Sequence, residues 1–179
     1  RLQNHDGDIG RNTGHVDVFG VDDSIINVGG IGINKVIASI GEPIDLIKMD
    51  CEGAEWGIIE NGDFSGVRQI VAEVHAAPIS SHPAVSSIQG VSLRDLMAGA
   101  EDRLTACGFE VRMFILGAEL GKLIATKAKK EQPVPVEIHS KKKLLWIGDA
   151  CTTTGYSKVT EQVCSRLFNA GWDVHVLGI

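Results

Sequence analysis

No stretch of the chain offers the roughly 18 consecutive apolar residues that a membrane-spanning helix needs. No signal peptide is recognisable either, although the first residue is Arg1 and not methionine, so the opening residues do not speak to targeting. Positive charge is scarce: 17 Lys and Arg stand against 23 Asp and Glu, a formal net charge of -6. A nucleic-acid-binding domain usually carries a basic face, so no nucleic-acid partner is expected. The two short basic runs, Lys127 to Lys130 and Lys141 to Lys143, read as solvated linker charge. Closely spaced cysteines are absent too. Cys51, Cys107, Cys151 and Cys164 lie far apart with no C-x-x-C pair, which argues against a zinc site or a disulfide framework and for a reducing, cytoplasmic setting.

What is there is the composition of a globular protein, 44% hydrophobic and 22% charged over 179 residues. That length accommodates one domain, or one domain and part of another. The most informative stretch is Ile44 to Glu55, Ile-Asp-Leu-Ile-Lys-Met-Asp-Cys-Glu-Gly-Ala-Glu. Ile44 to Met49 has the length and apolarity of a parallel-sheet strand, and Gly53 and Ala54 then open a helix. Asp50 and Glu52 therefore fall at the carboxyl end of a strand, the edge at which open α/β sheets bind ligands. Acids just ahead of a helix also serve as caps, and for Glu52 that reading stands beside the functional one.

The flanking segments extend the α/β pattern. Arg1 to Gly14 is polar and glycine-rich and reads as loop, and His15 to Val21 as a strand. Ser24 to Val28, the glycines Gly29 to Gly32 and the helical Ile33 to Ile40 have the order of a nucleotide loop. The next strand, however, leads into Glu-Gly-Ala-Glu and not to a ribose-holding acid, so a plain turn is the competing reading. A short helix is predicted over Ala54 to Asn61, with Ile58 and Ile59 inward, Glu55 and Glu60 outward, and Asn61-Gly62 as its stop. Val67 to His75 is a second strand that ends in polar residues. If it is the parallel neighbour of the first, Asp50, Glu52, Glu73 and His75 share one rim. Ala76 to Gly90, rich in proline and serine, reads as a loop over that rim. A capping box at Ser92 to Asp95 opens a helix with Leu93, Leu96, Met97, Ala100 and Leu104 inward and Gly108 as its end. Glu110 to Leu116 and Gly121 to Ala128 form a closing antiparallel hairpin.

Beyond residue 128 the composition shifts. Residues 129–141 read as a linker, with Pro133 and Pro135 among charges. In 142–179 a strand over Leu144 to Ile147, a helix capped at Ser157 with Val159, Val163, Leu167 and Phe168 inward, and a strand over Asp173 to Leu177 make one βαβ unit, too small to be a complete domain.

Asp-Leu-Ile-Lys-Met-Asp-Cys-Glu-Gly-Ala-Glu at Asp45 to Glu55, with Val-Ala-Glu-Val-His at Val71 to His75, resembles the FkbM-type family of S-adenosylmethionine-dependent class I methyltransferases, over roughly Val16 to Lys127. The resemblance implies a truncated Rossmann-like class I sheet closed by the hairpin, with 1–128 as its C-terminal part. It also implies that the glycine-rich cofactor loop and the ribose-binding acid lie upstream of Arg1. The tail Lys142 to Ile179, with Leu-Leu-Trp-Ile-Gly-Asp, Thr-Gly-Tyr-Ser-Lys-Val-Thr and Gly-Trp-Asp-Val-His-Val-Leu-Gly, resembles the opening of GT-B type glycosyltransferases, which implies a second Rossmann-like domain starting there.

The expected activity is transfer of a methyl group, to oxygen, on a small-molecule or glycan acceptor. Asp50 would orient the acceptor, Glu52 lies beside it, and Glu73 and His75 would remove its proton. Asp50 is also a candidate cofactor contact. A divalent cation on Asp50, Glu73 and His75 is the alternative to a metal-free site. Two other readings remain open: a glycosyltransferase carrying a non-catalytic methyltransferase-like remnant as an interaction module, and a small complete enzyme with Gly29 to Gly32 as its cofactor loop. Oligomeric state is not legible.

Overall fold

The computed structural model describes residues 2–3, 26–27, 32–51, 53–76, 90–127, 141–148 and 155–178. The expected strand at His15 to Val21, most of the Gly29 to Gly32 cluster, the loop after Ala76 and the linker 129–141 lie outside these residues, as does Glu52.

Two two-residue strands, β1 (Leu2–Gln3) and β2 (Ile26–Asn27), pair in parallel, the first within a stretch read as loop. All other strands join one sheet. In chain order the elements are α1 (Ile33–Ile40), β3 (Leu46–Asp50), α2 (Glu55–Asn61), β4 (Gln69–His75), α3 (Leu93–Ala106), β5 (Phe109–Ile115), β6 (Leu120–Lys127), β7 (Lys143–Gly148), α4 (Gly155–Asn169) and β8 (Asp173–Gly178). The six-stranded order is β5-β6-β4-β3-β7-β8, antiparallel at the β5–β6 and β6–β4 pairs and parallel across the rest. The mixed α/β sheet is consistent with a Rossmann-like methyltransferase fold, and the hairpin closes one side of it.

Side-chain alternation explains how the sheet is held. Ile47 and Met49 of β3, Ile70, Ala72 and Val74 of β4, Leu123 and Ala125 of β6 and Ile147 of β7 are fully buried on one face. The helices α1 to α3 cover this face, contributing Ile33, Ile58, Ile59, Met97 and Leu104 to the same core. Each large aliphatic side chain so buried stabilises the fold by about 1.5–3 kcal/mol. The box at the start of α3 forms as read: Ser92 Oγ accepts from the Asp95 N–H at 3.2 Å and donates to Asp95 Oδ2 at 2.6 Å. Gly108 ends that helix at φ 84°, a conformation that a β-carbon disfavours.

The strand–helix–strand unit of the tail, expected to open a separate second domain, continues this same sheet. β7 pairs with β3 from Leu46↔Leu144 to Asp50↔Gly148. At the amino ends, Asp45 accepts from Arg68 Nη1 at 2.8 Å and from the Lys143 N–H at 2.9 Å, tying β3 to its neighbours on both sides. The stripe that α4 buries also differs from the expected one. Ser157, Thr160 and Cys164 face inward, while Val159 and Phe168 are 55% and 64% exposed. These three, at i, i+3 and i+7, share one side of the helix, while Val163 and Leu167 are half-buried.

The two parallel units run in opposite directions from the centre, β3 to β4 on one side and β7 to β8 on the other. Because such crossovers are right-handed, α2 and α4 fall on opposite faces. The order therefore turns around between β3 and β7, and a crevice opens at the carboxyl ends of those strands.

Candidate active site at the carboxyl edge of the sheet

β3 and β4 run in parallel with Met49 opposite Ala72, so Asp50 and Glu73 come next to each other on the face opposite the core. His75, two residues beyond Glu73, projects on the same side. The carboxylate oxygens of Asp50 and Glu73 and a ring nitrogen of His75 lie within 4.8 Å of one another. The rim expected from the sequence thus brings these three together. Two carboxylates and an imidazole can move a proton, and they are also of the type that holds a divalent cation such as manganese.

Neighbouring groups fix Asp50 and His75. Lys48, two residues before Asp50 on the same strand face, places Nζ 3.1 Å from Asp50 Oδ2 and 4.7 Å from the centre of the Trp146 ring. The aromatic ring and the carboxylate together hold the ammonium over β7 and β3. Trp56 of α2 donates its indole N–H to the His75 carbonyl at 2.7 Å, pinning the end of β4 to α2. The His75 side chain, 9% exposed, has Nδ1 3.5 Å from Glu55 Oε1 and Nε2 3.8 Å from Glu73 Oε1.

Glu55 was missed. The sequence places it on the exposed side of α2, yet it is fully buried. Its Oε1 accepts from the Cys51 N–H at 2.5 Å and its Oε2 from the Gly53 N–H at 2.8 Å, so both oxygens are used by the turn that follows Asp50. That turn needs Gly53, whose φ is 106°. The backbone donors and the amino end of the helix supply the positive potential that lets a carboxylate leave water. A glutamate in the first turn of a helix, just after a glycine turn, was the available signal. Burial, with Glu55 beside it, pushes the Cys51 thiol well above its ordinary pKa, so the cysteine is a packed neighbour and not a thiolate.

Gly148 closes the crevice from the β7 side. A β-carbon there would stand 2.8 Å from the Asp50 carbonyl oxygen, so the strand ends approach as closely as they do only because no side chain intervenes.

An open sheet with polar groups gathered at its carboxyl edge, beside the point where strand order reverses, is the arrangement of α/β enzymes that bind small molecules there. The family model of the methyltransferase FkbM domain matches residues 2–111, more than half of the chain, and the chain belongs to that family. No curated protein and no solved structure matches it significantly. The match ends within β5, and the comparisons offer no support for a glycosyltransferase in the tail.

Proposed function

We propose that the chain acts in S-adenosylmethionine-dependent methyl transfer to an oxygen nucleophile on a small-molecule or glycan acceptor. The observation that carries this reading is the convergence of Asp50, Glu73 and His75 within 4.8 Å, on a chain of the FkbM family. When bound, S-adenosylmethionine supplies an electrophilic methyl carbon. The acids at the rim, Asp50 and Glu73, suit the positive charge of a sulfonium.

Methyl transfer asks little of a protein beyond alignment and proton removal. Asp50, held by Lys48, accepts a hydrogen bond from a donor group beside the reacting hydroxyl and so orients the acceptor. His75 would take the hydroxyl proton as the carbon–oxygen bond forms and the methyl carbon–sulfur bond breaks to leave a neutral thioether, with Glu73 beside the ring to stabilise the resulting imidazolium. Glu52, outside the described residues, stays a candidate from the sequence alone. A cation held by the same three side chains would weaken the hydroxyl proton instead, and chelator sensitivity separates the two routes.

The test is Asp50→Asn in the full chain, which preserves shape and removes charge. Methyl transfer to hydroxyl acceptors is expected to fall at least about tenfold with folding intact, and unchanged turnover would remove Asp50 from the mechanism. A second reading comes from the sequence of the tail alone, whose resemblance to the opening of GT-B type glycosyltransferases would make the methyltransferase-like part an interaction module. Sugar transfer from a nucleotide sugar, with no methyl transfer by the parent chain, would support that reading over the first.

A further inference from the structure

Two carboxylates flank His75, and they differ in environment. Glu55 on the Nδ1 side is fully buried and has both oxygens fixed by backbone N–H groups of the Cys51–Gly53 turn. Glu73 on the Nε2 side is 36% exposed in its side chain. Water and salt screen an exposed charge far more than a buried one. The ring's backbone is itself pinned by the Trp56 indole. Of the two flanking charges, the immobile and unscreened one is Glu55.

We propose that Glu55 is a positioning residue that holds His75 in the tautomer protonated on Nδ1, so that Nε2 faces the Asp50–Glu73 cleft as a proton acceptor. The 3.5 Å separation between Glu55 Oε1 and His75 Nδ1 is long for a hydrogen bond. Contacts of this kind tighten when a site fills. A base whose second nitrogen is oriented by a carboxylate presents one lone pair in one direction, which is what a proton-removing imidazole requires. Through the same two oxygens Glu55 also shapes the turn that carries the chain away from Asp50, so one buried side chain sets the geometry of both strand ends. This assignment rests on the acid–base role proposed for His75.

The tautomer can be read directly by nitrogen NMR on the full chain with labelled histidine imidazoles, at a pH alkaline enough that the ring signals no longer move with pH. The His75 signals are identified by their loss in His75→Gln. The parent is expected to show the Nδ1–H form in about tenfold excess or more, and Glu55→Gln to reduce that preference at least about fivefold. The glutamine offers a single acceptor oxygen to two backbone donors and an amide N–H₂ to the rest. An Nε2–H majority in the parent overturns the proposal, and this result needs no variant to fold. An unaltered preference in a folded Glu55→Gln chain overturns it equally. The spectrum needs neither acceptor nor cofactor. A wrong tautomer therefore refutes the positioning role, whereas a correct tautomer without methyl transfer refutes only the reading of His75 as a catalytic base.

Discussion

Replacing Gly148 with alanine puts one methyl group where the structure has no room for it. The β-carbon would sit 2.8 Å from the Asp50 carbonyl oxygen and 3.6 Å from the Asp50 β-carbon, and the residue's φ of 158° is one that L side chains rarely adopt. The obstructing atom is backbone within the β3–β7 ladder, so relief requires the strands to part. Overpacking of this kind costs typically about 1–3 kcal/mol, and backbone strain adds to it, giving an expected loss of about 2–4 kcal/mol. Gly155, the first residue of α4, is the control, because a β-carbon there meets nothing within 4 Å. Its alanine variant is expected to be neutral or to gain up to about 1 kcal/mol. Urea unfolding separates the two, since with a slope of roughly 2 kcal/mol per molar the Gly148 variant moves the midpoint by about 1–2 M. Equal midpoints for both variants would mean that β7 does not lie against β3 and that residues 143–178 form no part of this sheet.

Other expectations concern charge and sulfur. The hydrogen bond from Lys143 Nζ to Asp173 at 2.5 Å lowers the pKa of the aspartate and raises that of the lysine. The carboxylate's contribution to stability is therefore present above its ordinary value of 3.8 and lost as pH falls through its lower folded value. The lysine's contribution is present below 10.5 and lost as pH rises through its higher folded value. Urea midpoints of the parent and Asp173→Asn should converge as the solution is acidified past the carboxylate range, and parallel curves would contradict the pairing. Cys51, buried and raised in pKa, should resist alkylation in the folded chain at about pH 8 and react after unfolding. Recovery of a Cys51-modified native chain would contradict its placement.

The central strand and its acids were legible because a short apolar run ending in Asp-Cys-Glu-Gly admits few structures: a buried strand, an abrupt exit and a helix. The α3 helix and the hairpin were legible for similar local reasons, a capping box in one case and a glycine turn between alternating runs in the other. What the sequence did not carry was long-range. Glu55 was assigned to solvent by the rule that charges on short helices face out. The rule fails here because the turn at Cys51–Gly53 presents two backbone donors that only the folded chain aims at one carboxylate. On α4 hydrophobicity points to Val159 and Phe168 as the inward stripe, whereas the buried residues are Ser157, Thr160 and Cys164. The pairing of Lys143 with Asp45, separated by 98 residues, has no local signature at all.

If the proposed acid–base site exists, Asp50 on one strand and His75 on the next act on the same acceptor, and their effects must be coupled. Methyl transfer by the parent, Asp50→Asn, His75→Gln and the double variant, each checked for folding, measures that coupling. The expected result is a large loss in each single variant and a combined loss far smaller than the product of the two, because a unit once broken has little more to lose. Losses that simply multiply, or single variants that turn over like the parent, would contradict the shared site.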